Sequence, residues 1–152
     1  MTLRHAAHAA ILALALATGA RSVVADDAAP AAAAFAPVVR AWQSRDAKAV
    51  TALILADGRL SLSLEGYGAG RIVGRPTKEN AQAILKGYFE KIESASLKDA
   101  TAPEAKTFTR QYDFTYRPRG ADERTTRLSF TLQKADDASF ALIAAEERPK
   151  KQ

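Results

Sequence analysis

The feature that most constrains the fold is a strict alternation of large apolar and polar residues in the second half of the chain. Side chains two residues apart point to the same side of a strand, so a period of two predicts strands with one buried face. Residues 140–145 are instead apolar throughout, as expected of a strand covered on both faces. The inward positions of the two alternating stretches are Phe108, Arg110, Tyr112, Phe114 and Tyr116, then Leu128, Phe130 and Leu132.

Three other stretches have the period of a helix. The first carries an apolar stripe from Phe35 to Trp42, and Pro37 predicts that this helix begins within a few residues of it. Asp46 is the expected N-cap of a second, short helix, and Thr77 that of a third. The apolar face of the third helix comprises Ala81, Ile84, Leu85, Tyr88, Phe89 and Ile92.

The predicted order of elements is two helices, a strand pair at 60–64 and 71–74, a third helix, and then four strands that begin at 94–100. Helices on one face of a long antiparallel sheet define an α+β arrangement. A twisted sheet of this size curls around its helices and can leave a conical cavity. We therefore predict a curved antiparallel sheet wrapped around three helices, with the domain at 35–147 and a charged tail at 148–152.

The first 25 residues have the pattern of a secretory signal peptide. Arg4 precedes an uncharged apolar run at 9–17, and small residues lie before Asp26. The run is shorter than the roughly 20 apolar residues that a membrane span needs. We expect cleavage after Ala25, or alternatively after Ala20, and export to the periplasm or the exterior. The alternative is an uncleaved anchor or an ordinary N-terminal helix. Residues 26–34, rich in Ala and Pro, are predicted to be a flexible lead-in.

Cysteine and histidine usage excludes several kinds of chemistry. The chain has no Cys, and its two His residues, His5 and His8, both lie in the predicted signal peptide. The mature chain then has no thiolate nucleophile, no disulfide, no histidine metal site and no Ser-His-Asp triad. Loss of Arg4 and Arg21 lowers the net charge from +5 to +3, which is weak evidence for nucleic-acid binding. We predict no cofactor, no metal, no nucleic-acid partner and no transmembrane segment in the mature chain.

Two stretches of the mature chain carry a family resemblance. Residues 44–50 read SRDAKAV and residues 74–89 read GRPTKENAQAILKGYF. With the order of elements, they resemble the nuclear transport factor two-like superfamily, also called cystatin-like or SnoaL-like. The likeness is greatest to small exported bacterial domains of unknown function, which have a similar GDAKAL helix start and A-x-x-I-L-K-x-F-F central helix. It covers roughly residues 35–147 and implies an α+β cone.

The same resemblance allows a comparison with the superfamily's enzymes. Members resembling ketosteroid isomerase have a general-base carboxylate late in the first strand, where this chain has Ser63 and Leu64. Their oxyanion-donating Tyr lies on the first helix, which here offers Val38 and Trp42. The His-Asp pair of other branches cannot form without His. The resemblance thus assigns no catalytic residue, and because the fold hosts enzymes and binding modules alike, it does not select a function.

Arg110 is the only charged residue in its aromatic row and is the main candidate for binding a ligand. A guanidinium inside the cone would bind a carboxylate or phosphate, walled by Tyr112, Tyr88 and Trp42. Alternatively, Arg110 lies at the sheet rim in water or pairs with a structural acid. The glycine-rich turn at 66–70 is predicted to be a hairpin tip, from which Tyr67 is a candidate to close over a ligand.

We predict an exported, non-catalytic domain that binds a small anionic or aromatic ligand or a partner protein. Two alternatives stay open: a His-free lyase or isomerase that uses a carboxylate and a Tyr inside the cone, and a structural homodimer. A pocket that contains Arg110 without paired acids would favour binding. An acid that meets a Tyr inside the cone would favour the enzyme, and an apolar outer sheet face would favour the homodimer.

Overall fold

The structure, a computed structural model, describes residues 27–67, 70–136 and 138–150. The predicted signal peptide and both of its cleavage sites lie outside these residues. The helices are α1 (Ala28–Gln43), α2 (Ala47–Ala52) and α3 (Lys78–Glu90). The strands are β1 (Ser61–Leu64), β2 (Ile72–Gly74), β3 (Ile92–Asp99), β4 (Thr109–Pro118), β5 (Arg124–Lys134) and β6 (Phe140–Pro149).

The six strands form one curved sheet in the order β2-β1-β6-β5-β4-β3. All neighbouring pairs are antiparallel except β1 and β6, which are parallel. The predicted α+β class is confirmed, and the sheet is mixed rather than purely antiparallel. The reason is that β1 and β6 are distant in sequence, so no hairpin turn forces them to run in opposite directions.

The core lies between the helices and the concave face of the sheet. Trp42 of α1 is fully buried, and its ring centroid lies 5.1 Å from those of Phe89 and Phe130. Leu85 of α3 is also fully buried, which confirms the predicted inward face of this helix. On β4 the predicted aromatic row is likewise confirmed, since Tyr112, Phe114 and Tyr116 are all buried.

Helix α1 begins nine residues before Pro37, earlier than the predicted start within a few residues of it. It starts at Ala28, includes Pro37 in its interior, and buries Ala31. Most of the stretch expected to be a flexible lead-in is therefore helical. Pro37 removes one backbone hydrogen bond, but burial of Phe35 and Trp42 on either side of it holds the helix together.

The C-terminal end of the domain also extends further than predicted. Arg148 and Pro149, assigned to a charged tail, continue β6 and pair with Arg127 and Thr126 of β5. No helix within the described ranges is long and apolar enough to cross a membrane.

The outer face of the sheet is polar. Hydroxyl pairs connect neighbouring strands there, with Thr109 and Thr131 at 3.3 Å and Thr115 and Thr125 at 2.9 Å. Contact of such a face with water costs little free energy, and packing a second copy of the chain against it would gain little. It therefore does not favour the homodimer among the functions considered above.

Candidate functional site

A carboxylate lies in the core at the end of β6 where β1 and β5 flank it. Alternation along β6 turns Ala145 and Glu147 inward and Glu146 outward, and Glu147 is completely buried. A charged group is costly to bury unless several partners compensate it. None of the ion pairs among the described residues involves Glu147, so its compensation comes from neutral donors.

Three elements supply hydrogen-bond donors to Glu147. The backbone N–H of Glu65, just after β1, donates to Oε2 at 2.9 Å, and the hydroxyl of Tyr88 on α3 donates to the same oxygen at 3.0 Å. The hydroxyl of Thr126 on β5 donates to Oε1 at 2.8 Å. These three hydrogen bonds compensate the carboxylate for the loss of water on burial. Glu147 of β6 thus connects α3 with β5 and with the end of β1.

Tyr67, in the loop between β1 and β2, packs against the Tyr88 side chain that binds this carboxylate. Its hydroxyl donates to the hydroxyl of Tyr88 at 2.8 Å, and its ring lies 5.3 Å from that of Tyr88 and 5.0 Å from that of Tyr116. Its backbone has φ +46°, a left-handed conformation that costs a bulky residue about 1 kcal/mol or more. The contacts of the ring and hydroxyl offset this strain.

The glycine before Tyr67 is required by a close approach of the loop to itself. A Cβ at Gly66 would lie 1.5 Å from the carbonyl oxygen of Gly70, a distance that no side chain permits. The loop ends are therefore held together, and Tyr67 projects from this narrow base into the core.

Burial and the charge of Glu147 both disfavour ionisation of the surrounding phenols. Burial, and then the nearby carboxylate, raise the pKa of Tyr88 well above its ordinary value, and the same two causes raise the pKa of Tyr67. They raise the pKa of Tyr116 to about 12. Around neutral pH, Tyr67 and Tyr88 are therefore hydrogen-bond donors in a chain that ends on Glu147.

An open pocket of about 700 Å³ lies immediately outside Tyr67, and we call it the mouth pocket. Its sides are the C-terminal part of α3 and the hairpin between β4 and β5. The hairpin is anchored to the helix, since the backbone N–H of Arg119 donates to the carbonyl of Lys91 at 2.8 Å. The lining residues are Tyr67, Gly87, Glu90, Lys91, Pro118, Arg119, Ala121 and Arg124.

Charge and shape both suit the mouth pocket to an anionic molecule. Lys91, Arg119 and Arg124 contribute three positive charges against the single negative charge of Glu90. Gly87 lines the pocket from the interior of α3, where it presents no side chain. A Cβ added there would meet no atom within 4 Å, so no neighbour requires glycine at this position. Glycine inside a helix costs about 1 kcal/mol relative to alanine.

The four residues predicted to bind a ligand make different contacts in the structure. Tyr88 belongs to the Glu147 cluster, and Trp42 packs beside it with a centroid distance of 6.0 Å. The indole N–H of Trp42 is buried without an acceptor among the described residues. Tyr112 contacts Phe130 instead, at 5.7 Å. Arg110 pairs with Phe130 across β4 and β5, and its side chain binds Asp99. A shared ligand-binding role for all four residues stays a prediction.

Arg110 occupies the rim position that we considered as its alternative. Its Nη1 donates to Oδ2 of Asp99 at 3.0 Å, and its guanidinium lies 5.7 Å from the centroid of the Phe35 ring. Burial raises the pKa of Asp99, but hydrogen bonds from Thr101 and the contact with Arg110 outweigh it, so that the pKa is lowered overall. The anion that Arg110 requires is thus supplied by the protein itself.

Replacement of Arg110 by leucine should therefore destabilise the protein only slightly. The side chains of Arg110 and Asp99 are 32% and 50% exposed, and ion pairs in contact with water contribute less than about 1 kcal/mol. Chemical denaturation of Arg110→Leu, beside Asp99→Asn and the double variant, measures the coupling between them. A loss of several kcal/mol would contradict this placement and indicate a buried pair.

Sequence reasoning missed Glu147, the central group of the site. Its signal was present, because the apolar stretch 140–145 continues as a strand and its alternation places position 147 on the same face as Ala145. The adjacent Glu146 instead turns outward and pairs with Arg148 at 3.0 Å. Within the described ranges, no three acidic, histidine or cysteine side chains come together as a metal site would require.

No protein-family model matches this sequence, and no curated protein sequence matches it. Comparison with solved structures does find relatives of the fold. A DUF4783 family protein from Bacteroides uniformis superposes with a TM-score of 0.51 at 8% identity, over 76% of this chain and 96% of that one. A ketosteroid isomerase-like protein from Erwinia carotovora atroseptica gives 0.50 at 18% identity, over 80% and 96%. A variant of a protein called Rd1NTF2_05 gives 0.54 at 11% identity, over 81% and 98%.

These similarities define the class of fold. The chain has the nuclear transport factor two-like architecture, in agreement with the resemblance seen in the sequence, and its structural relatives include a family of unknown function and an isomerase-like protein. At such low sequence identities the likeness concerns the fold alone. Function has to be argued from the site.

Proposed function

We propose that this chain is an exported, non-catalytic domain that binds a small molecule carrying an acidic group and an apolar body. The observation that carries the proposal is Gly87, a helix-interior glycine that no neighbour requires and that lines the cationic mouth pocket. Glycine at such a position destabilises the helix, which indicates that the space beside it is needed for a ligand. The apolar run before Ala25 supports export, since it matches a signal peptide.

The chemistry of the lining defines the ligand class. Lys91, Arg119 and Arg124 attract a carboxylate or phosphate, and the Arg side chains can bind it through two hydrogen bonds each. Tyr67 and Pro118 offer apolar surface at the inner end of the pocket. Small-molecule sites typically combine such an apolar lining with a few polar groups, in volumes of about 300–1,000 Å³.

Native mass spectrometry of the protein purified from its own host tests the proposal. The expected result is a bound small acid that is retained in Gly87→Ala and lost in Gly87→Leu, because the leucine side chain projects into the pocket while both changes suit a helix. Arg124→Glu should weaken binding of an added acid such as phenylacetate by about tenfold or more. A protein that carries no ligand and binds no aromatic acid even at about 1 mM would contradict the proposal.

A second function is favoured by one observation, the meeting of Glu147 with Tyr88 inside the cone. A carboxylate beside a phenol is the pair that a His-free lyase or isomerase would use, with Glu147 as general base and Tyr88 as hydrogen-bond donor. We rank it second because Glu147 already accepts from three donors and Tyr67 separates it from the mouth pocket. Turnover of an enolisable ketone that Glu147→Gln abolishes, without loss of folding, would reverse this order.

A further inference from the structure

The side chain of Tyr67 is held in the manner of a bound ligand. Its ring lies between Tyr88 and Tyr116, its hydroxyl hydrogen-bonds to Tyr88, and it enters the core from a surface loop. Its backbone adopts a left-handed conformation that an L-residue rarely takes. The favourable interactions are thus made by the phenol, whereas the main chain that carries it is strained.

The direction of the hydrogen bonds defines what can occupy this place. Tyr88 donates the hydrogen of its hydroxyl to the carboxylate of Glu147. The oxygen of Tyr88 is then left to accept, and Tyr67 donates to it. A molecule that replaces the Tyr67 side chain must therefore also donate a hydrogen bond to the hydroxyl oxygen of Tyr88. A ring with a free hydroxyl satisfies this requirement, whereas an ether or an unsubstituted ring does not.

The mouth pocket supplies a positive charge at the opposite end of such a molecule. Lys91 lies beside the backbone of the loop, with its Nζ 3.4 Å from the carbonyl oxygen of Gly66. A carboxylate in place of the Cα of Tyr67 would be next to this ammonium group. The compound that has the tyrosine side chain and a carboxylate at this position is 4-hydroxyphenylacetate.

We propose that Tyr67 occupies an aromatic binding site, and that a planar molecule with a phenolic hydroxyl at one end and an acidic group at the other displaces it. For the acidic end of the molecule this inference rests on the proposed function, since Lys91, Arg119 and Arg124 of the mouth pocket hold that group. The hydroxyl takes the place of the Tyr67 hydroxyl on Tyr88, and the ring takes the place between Tyr88 and Tyr116.

Titrations of the full chain with four probes test the proposal, read by the fluorescence of Trp42, the only tryptophan of the chain, which lies beside Tyr88. The probes are 4-hydroxyphenylacetate, 4-methoxyphenylacetate, phenylacetate and the uncharged 4-methylphenol. The hydroxy acid should bind about tenfold more tightly than the methoxy acid and phenylacetate, because only it donates to Tyr88.

The variant Tyr67→Phe gives the decisive comparison. Phenylalanine keeps the ring but loses the hydrogen bond to Tyr88, so it competes less well for the site, and affinity for the hydroxy acid should rise about fivefold. If Tyr67 merely lines the pocket, the same change leaves affinity unchanged or lowers it, which would overturn the proposal. A thermal melt checks that the variant is folded, and Thr115→Val, on the outer face of the sheet, is the control.

The probes separate this inference from the proposed function. Equal binding of the three acids, lost in Gly87→Leu, would support the mouth pocket and overturn displacement of Tyr67. Binding of 4-methylphenol as tight as that of the hydroxy acid would support the aromatic site and contradict the role of the cations. Failure of every probe to bind both wild type and Tyr67→Phe would overturn both.

Discussion

Raising the pH from about 9 to about 12 should unfold the protein cooperatively, because its tyrosines resist ionisation in the folded state. Tyr88 and Tyr116 are about 1% exposed; the pKa of Tyr116 is raised to about 12, and that of Tyr88 lies well above its ordinary value. In the unfolded chain both titrate near 10. Above about pH 10 the unfolded state therefore binds fewer protons than the folded state, and the free energy of unfolding falls as the pH rises.

The expected effect is large compared with the stability of a small domain. Each tyrosine that stays protonated in the folded state lowers the free energy of unfolding by about 1.4 kcal/mol per pH unit above pH 10. Small domains have about 5–15 kcal/mol in total. Below pH 10 the contribution is fully present, so stability between about pH 8 and pH 10 should not change through these groups.

Chemical denaturation at several alkaline pH values, together with the ultraviolet absorbance of tyrosinate, measures this effect. Tyrosinate should form in the same transition as unfolding rather than before it. Tyr116→Phe removes one of these contributions and should make the dependence on pH shallower. Tyrosinate absorbance that develops near pH 10 while the fold is intact would contradict the burial of the cluster.

Replacement of Glu147 by alanine should destabilise the fold by about 3 kcal/mol or more. The change leaves three donors without an acceptor, namely the partly buried Glu65 N–H and the buried hydroxyls of Tyr88 and Thr126. Each unsatisfied donor costs about 1–3 kcal/mol, and removal of a buried charge offsets only part of the total. Glu147→Gln keeps the shape and one acceptor, so about 1 kcal/mol is expected for it.

The neighbouring Glu146 provides a matched control for this measurement. It has the same chemistry, but its side chain is 39% exposed and pairs with Arg148 on the outer face. Glu146→Ala should therefore cost less than about 0.5 kcal/mol. Urea unfolding of the three variants gives the comparison, and similar losses at positions 146 and 147 would contradict the inward position of Glu147.

Period and spacing alone determined the type and order of the elements, because the side of a strand or helix that a residue occupies depends only on local geometry. The inward row of Tyr112, Phe114 and Tyr116 and the buried face of α3 follow from this rule. The N-cap at Asp46 is equally local, and its carboxylate accepts from the N–H of Ala49 at 2.9 Å. The start of α1 was missed, because local rules for Pro37 do not include the packing of the helix against the sheet.

The tertiary structure decided which polar groups meet. Glu147 and Tyr67 are 80 residues apart in the chain, and only the parallel pairing of β1 with β6 brings the loop after β1 to the end of β6. The alternation along β4 is the same whether Arg110 faces a cavity or an acidic side chain. Only the fold places Asp99, at the end of β3, beside it. Contacts of this kind depend on the register of distant strands, which the sequence encodes through the burial of the whole core and not through any local pattern.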